Sequence, residues 1–200
     1  MASFDPKNVT ASADVSVRAA ARADFEDLRR WGWHREPYLA EYNMPLLSEH
    51  DLDLLWGKLT GTANQLLYHG FCGPVLIAQI KLRKLDRAGG CAELGIMMDP
   101  RFVGRGLGKA IVTQTIAIAF ADLGLGIIRL EVAAYNLRAV AAYRACGFAE
   151  TSRRWVQLDS RTDFAALLRD PQYAWLAQWV RVDAGITRIL VLAMEARQHV

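Results

Sequence analysis

Val103-Gly104-Arg105-Gly106-Leu107-Gly108-Lys109 lies between a strand-like run, Cys91–Met98, that ends in Asp99-Pro100, and an apolar helical run, Ile111–Leu123. Glycine at every second position lets the backbone turn sharply and approach a ligand, because no Cβ stands in the way. The helix that follows points its unpaired N–H groups and the positive end of its dipole back into that turn. Such a junction binds an anion, pyrophosphate among them. Two familiar phosphate loops do not fit it. A P-loop needs Gly-x-x-x-x-Gly-Lys-[Ser/Thr], whereas here Lys109 is followed by Ala110 and Val103 stands where the first glycine belongs. A dinucleotide fingerprint needs Gly-x-Gly-x-x-Gly in the first βαβ unit. This loop lies mid-chain and has Lys109 at the third place after Gly106.

A second motif follows about thirty residues on, the span of one strand–helix unit: Asn136-Leu137-Arg138-Ala139-x-x-x-Tyr143-x-x-x-Gly147-Phe148. It comes after Ile127–Val132, a β-branched run that reads as a buried strand. Asn136 suits a helix N-cap, Ala139–Cys146 a short helix, and Gly147 its left-handed stop. Taken together, the two motifs and the elements between them resemble the GNAT superfamily of N-acetyltransferases. The resemblance is specific over Cys91–Glu150, rests on element order over Val15–Leu85, and fades beyond Arg154. Ala92-Glu93-Leu94-Gly95 further resembles the ribosomal-protein N-terminal acetyltransferase branch. One departure is Val103, where the family usually has Gln or Arg; Arg101 and Arg105 supply charge nearby.

The resemblance implies an α/β GNAT fold, with a mixed, mostly antiparallel sheet of about six or seven strands flanked by helices. It implies an acetyl-CoA-dependent N-acetyltransferase in which a primary amine attacks the thioester directly in a ternary complex. Coenzyme A would be held by Val103, Gly104, Arg105, Gly106, Leu107, Gly108 and Lys109 through backbone amides. The backbone of Met97 and Met98 would meet pantetheine and the developing oxyanion, Asn136 would bond the pantetheine arm, and Tyr143 would protonate the leaving thiolate. The alternative is a non-catalytic acyl-CoA-binding regulatory domain that keeps the loop and has lost transfer.

Glu93 is the candidate base. Strand alternation puts it on the face of Cys91, Gly95 and Met97, opposite Ala92, Leu94 and Ile96. A carboxylate in a partly apolar strand would have its pKa raised towards a working base. The competing reading is a structural carboxylate paired with an arginine such as Arg129, and both stay open. Glu131, in the next strand, is the reserve.

The remainder of the chain sets bounds. Two hundred residues with 52% hydrophobic content can bury the core of one domain, expected over residues 15–200 after a loose lead of residues 1–14, with an extended C-terminal region at about residues 158–186. A net charge of +3 without a basic tract asks for no nucleic acid. Cys72, Cys91 and Cys146 lie in or beside apolar segments, which suits reduced thiols in a cytoplasmic protein. His34, His50, His69 and His199 are scattered and no pair has metal-ligand spacing, so no metal is expected. Neither a signal region nor an uncharged run of membrane-spanning length occurs. The acceptor is an amine-bearing small molecule or a peptide or protein N-terminus, and a homodimer is left open. Trp31, Trp33, Tyr38 and Tyr42 lie near Glu36 and Glu41, which suits a cationic amine as well as a solvated helix face. Trp155, Trp175 and Trp179 read as a pocket wall, a core or a dimer contact. Other elements expected are a strand from Val15, a helix over Arg22–Trp33, a Ser48-capped helix ending at Gly61, strands Leu66–Phe71 and Val75–Leu82, a helix over Ser160–Arg169 and a final strand Arg188–Met194.

Overall fold

The computed structural model describes residues 14–198; all but the last residue of the expected N-terminal lead lies outside them. In chain order the elements are β1 (Val15–Ala19), α1 (Phe25–Leu28), α2 (Glu49–Thr60), β2 (Leu66–Cys72), β3 (Val75–Asp86), β4 (Cys91–Met98), α3 (Leu107–Ala117), β5 (Ile127–Ala133), α4 (Leu137–Ala145), β6 (Ala149–Gln157), α5 (Phe164–Arg169), β7 (Val180–Asp183) and β8 (Ile186–Arg197). Tight helical turns at Pro37–Tyr42 and Pro171–Gln178 join the set.

One eight-stranded sheet runs β1-β2-β3-β4-β5-β8-β6, with β7 also on β8. β6 takes one edge of β8, so β7 pairs on the other, where the ladder with β5 has ended. Every pairing is antiparallel except β4 with β5, which is parallel and short. It joins only Cys91, Ala92 and Glu93 to Ile127, Ile128 and Arg129. Beyond Glu93 the two strands part, while β4 stays paired to β3 as far as Met98.

Alternation along the strands decides what is covered. Ala92 and Leu94 of β4 join Ile128 and Leu130 of β5, Ile111 and Val112 of α3, and Val140 of α4 in the main core. A second core packs Phe25, Leu28, Trp31, Leu52 and Leu59 onto Leu67, Phe71 and Leu76. A third joins Leu39 and Tyr135 to Phe164, Leu176 and Val180, which gives the extended C-terminal region a core of its own.

The helix expected over Arg22–Trp33 is much shorter, because tertiary bonds outbid its periodicity. After Leu28 the chain tightens through Arg30 N–H to the Asp27 carbonyl and Trp31 N–H to the Leu28 carbonyl. The Trp31 indole then donates to the Leu76 carbonyl (3.1 Å), and Gly32 N–H donates to Asp99 Oδ1 (3.0 Å). By contrast, Ser48 caps α2 as its sequence predicts, in a reciprocal box with Asp51.

Asp24 ties the first helical turn to the sheet. It accepts from Arg18 (2.6 and 2.9 Å), from the Ala21 N–H (2.9 Å) and contacts His69 Nδ1 (2.9 Å). Burial alone would raise its pKa, but these donors outweigh burial and hold it at about 2, against 3.8 ordinarily. A carboxyl depressed on folding stabilises the protein fully above its unfolded pKa and loses that contribution as pH falls through the folded one, a stabilisation of about 2 kcal/mol. Urea unfolding should therefore show Asp24→Asn less stable by about that amount at pH 7, with the gap closing between pH 4 and pH 2. A gap that stays constant over that range would contradict the role given to Asp24.

Candidate active site

Where β4 leaves β5 a cleft of about 390 Å³ opens. Leu94–Met98 form one side and Glu131 and Val132 of β5 the other. Val112 of α3 and Ala142 and Tyr143 of α4 line it between them, and His34, Tyr42 and Arg83 reach it from other segments. The opened edge of β4 has no strand partner, and such backbone polar groups seek another one.

The glycine loop closes one part of the cleft. Gly104 and Gly106 have φ of +78° and +79°, a conformation that costs other residues. Gly106 is the N-cap of α3 and offers its first N–H groups no side-chain acceptor. The other capped helices differ: Ser48, Asn136 and Asp163 each accept a bond from their own helix. A Cβ on Gly108 would stand 3.0 Å from the Met98 sulfur, so glycine lets α3 lie against β4. Arg105 Nη1 is buried without an acceptor among the described residues. The amides at the start of α3 and the helix dipole fit a pyrophosphate, whereas Arg105 does not line the cleft.

Ahead of the loop, Asp99 is fully buried. It accepts from the Arg101 backbone N–H (3.0 Å) and guanidinium (Nη2 at 2.6 Å) as well as from Gly32. The end of β4 thus holds both the loop and the segment that carries His34.

The second motif folds as its residues predict. Asn136 Oδ1 accepts from the Ala139 N–H (3.3 Å) and caps α4, while Gly147 ends it at φ +87°. Asn136 lines the cleft beside Tyr42. The Tyr143 ring packs edge-on against Phe148, with centroids 5.7 Å apart. Burial pushes the Tyr143 phenol well up, and nearby Tyr42 and Cys146 push it further. The phenol therefore keeps its proton at neutral pH, as an acid must.

Glu93 stands differently from the expectation of a raised, base-like carboxylate. It sits on the last residue pair before the strands part. Lys84 Nζ lies 2.6 Å from Oε2, and the Arg83 guanidinium pairs with Oε1. Burial would raise its pKa, but the Lys84 bond and both positive charges outweigh that, so the net shift is downward. A bulge in β3 with Lys84 at φ +50° brings the two cations there. Arg129, the partner foreseen for Glu93, instead pairs with Glu195 at 3.0 Å. The reserve, Glu131, does line the cleft, with both oxygens 2.9 Å from Arg154.

Two further residues reach the cleft: Tyr42, one of the aromatics expected on the acceptor side, and His34, which no local spacing marks. Tyr42 arrives on the Pro37–Tyr42 turn, and His34 arrives through the Asp99–Gly32 bond. The His34 side chain is only 7% exposed, with Nδ1 4.0 Å from Glu36 Oε2. Burial and the Arg138 charge lower its pKa from 6.5, against opposing pulls from Glu36 and Asp99. The imidazole is therefore neutral at pH 7 and able to accept a proton.

The comparisons give the family. The model of the acetyltransferase (GNAT) family matches residues 19–148, and the chain belongs to that family. It is an acetyltransferase with acetyl-CoA as co-substrate. A spermidine N(1)-acetyltransferase of Vibrio cholerae is 25% identical over 140 residues, covering 70% of this chain and 81% of that protein. The structure of the Vibrio cholerae spermidine N-acetyltransferase in complex with CoA and spermine superposes with a TM-score of 0.64 at 20% identity, over 92% of this chain and 95% of that one. A chimera of that enzyme with hSSAT gives 0.65 at 21% identity over the same shares. These relatives are spermidine acetyltransferases and not of the ribosomal-protein branch that Ala92–Gly95 resembles. Among the described residues no group of His, Cys, Asp or Glu could hold a metal, and no helix is long and apolar enough to cross a membrane.

Gly106→Val should weaken acetyl-CoA binding by about 2–4 kcal/mol in calorimetry, since a branched residue at positive φ disturbs the loop and blocks several charge-assisted bonds. Unchanged affinity would move the pyrophosphate away from this loop.

Proposed function

We propose that the chain transfers the acetyl group of acetyl-CoA to the primary amine of a small molecule, by direct attack in a ternary complex. The observation that carries this reading is one cleft shared by the glycine loop, the opened edge of β4, Tyr143 and His34. Backbone N–H groups of the loop and the start of α3 would hold the pyrophosphate, from Val103 to Lys109. Asn136 and the opened edge at Met97 and Met98 would pair with the pantetheine arm and polarise the thioester carbonyl.

Acetyl-CoA supplies an activated acyl carbon and a thiolate leaving group. The chain supplies proton management around it. A protonated amine has no lone pair, so a base must take its proton, and we assign that to neutral His34, with Glu36 offsetting the imidazolium charge. Glu93, held as a carboxylate by Lys84 and Arg83, is given a structural role. As the amine nitrogen bonds to the acyl carbon and the carbon–sulfur bond breaks, Tyr143 gives its proton to sulfur, and the phenolate is reprotonated by the second proton that the nitrogen sheds as the amide forms. A peptide N-terminus is the alternative acceptor. The relatives' named substrates, and the pocket described below, support a small amine instead.

Tyr143→Phe removes only the hydroxyl. It should leave acetyl-CoA affinity intact and lower kcat by roughly 10²–10⁴. His34→Gln should lower kcat at neutral pH and abolish the acidic limb of the wild-type profile, which lies below pH 6.5 because the imidazole pKa is depressed. Thiol release read across pH checks both. Wild-type rates in both variants, with chemistry limiting, would assign the two side chains to packing.

A further inference from the structure

A second cavity, of about 400 Å³, adjoins the cleft. The two share Asn136 and Arg138, at the start of α4. Its walls are aromatic. Tyr38 meets Trp175 edge-on (centroids 5.2 Å apart, 89°), with Tyr135 and Tyr173 each at 6.1 Å. The extended C-terminal region contributes Trp175 to this wall, beside Tyr38 and Tyr135. Leu176, fully buried, and Asp170, which accepts from Gln172 N–H (2.9 Å), fix the turn that carries Trp175. The turn at Pro37–Tyr42 is stitched to the same region. Glu41 accepts from the Ser160 hydroxyl (2.7 Å) and Arg161 N–H (3.0 Å), and Thr162 donates to the Pro37 carbonyl (3.3 Å). With Glu41 so engaged, Glu36 is the carboxylate that lines the cavity, facing Arg138 as its cation.

We propose that this cavity receives the non-reacting body of the acceptor and selects a singly charged amine bearing an aryl group over a polyamine. The inference rests on the acetyltransferase reading. Edge-on rings give an aryl group favourable quadrupole geometry. One ammonium gains from Glu36 and from the ring faces as it passes towards His34. A polyamine would bring further positive charges past Arg138 with only Glu36 to offset them. Like charges brought together away from bulk water repel strongly.

The test is acetyl-CoA turnover with tryptamine, phenethylamine, putrescine and spermidine, together with calorimetry of each amine into protein saturated with CoA. The aryl amines should show kcat/KM higher than spermidine by about tenfold or more, and Trp175→Ala and Tyr38→Ala should each raise their KM by about tenfold, with kcat falling less. A preference for spermidine, or an aryl-amine KM unmoved in both variants, overturns the proposal. Aryl-amine binding that is lost in Trp175→Ala, without thiol release from any amine, would uphold the cavity and overturn the enzymatic reading. Absence of both binding and turnover of aryl amines would overturn the cavity assignment.

Discussion

The parting of β4 from β5 after Glu93 is the constraint on which the site depends. A strand inside a sheet ordinarily has both edges paired, and a buried N–H or carbonyl without a partner costs about 1–3 kcal/mol. Here β3 satisfies one edge of β4 to its end, while the other edge opens at Leu94. The opened edge is a template for an extended ligand with amides of its own, which the pantetheine arm provides. The same divergence makes room for α3 to bring its uncapped N-terminus beside Met98, with Gly108 allowing the approach. Anion site and amide template therefore arise from one event in the sheet.

Asp99 extends that event to the acceptor side. Its carboxylate is buried and shared between Arg101, just before the glycine loop, and Gly32, two residues before His34. One side chain thus fixes the distance between the loop and the imidazole. The helical run that the pattern Phe25, Leu28, Trp31 implies stops early to make this bond. The C-terminal region completes the other flank, where Trp175 and the Pro37–Tyr42 turn share a core with the end of β5.

The sheet order and the two motifs were legible because local rules and tertiary packing agree in them. Asn136 caps, Gly147 stops, and Gly104 and Gly106 adopt positive φ, as their residue types require. The charge state of Glu93 was not legible. Alternation gave the face of Glu93, but its charge state is decided by Lys84 and Arg83 across a bulge, which no spacing announces. His34 enters the cleft through the long-range Gly32–Asp99 bond, so its position has no local signature. Trp175 and Trp179 kept several readings because they serve two ends, with Trp179 packed on the core and Trp175 lining a cavity.

Acetyl-CoA lying along β4 in the cleft between the parted strands would bond the amides it meets, and bonded amides exchange more slowly. Hydrogen–deuterium exchange with and without acetyl-CoA should therefore show slowing at residues 95–98, 104–110 and 136–140 together. Slowing confined to other segments, or none at saturating acetyl-CoA, would contradict that placement.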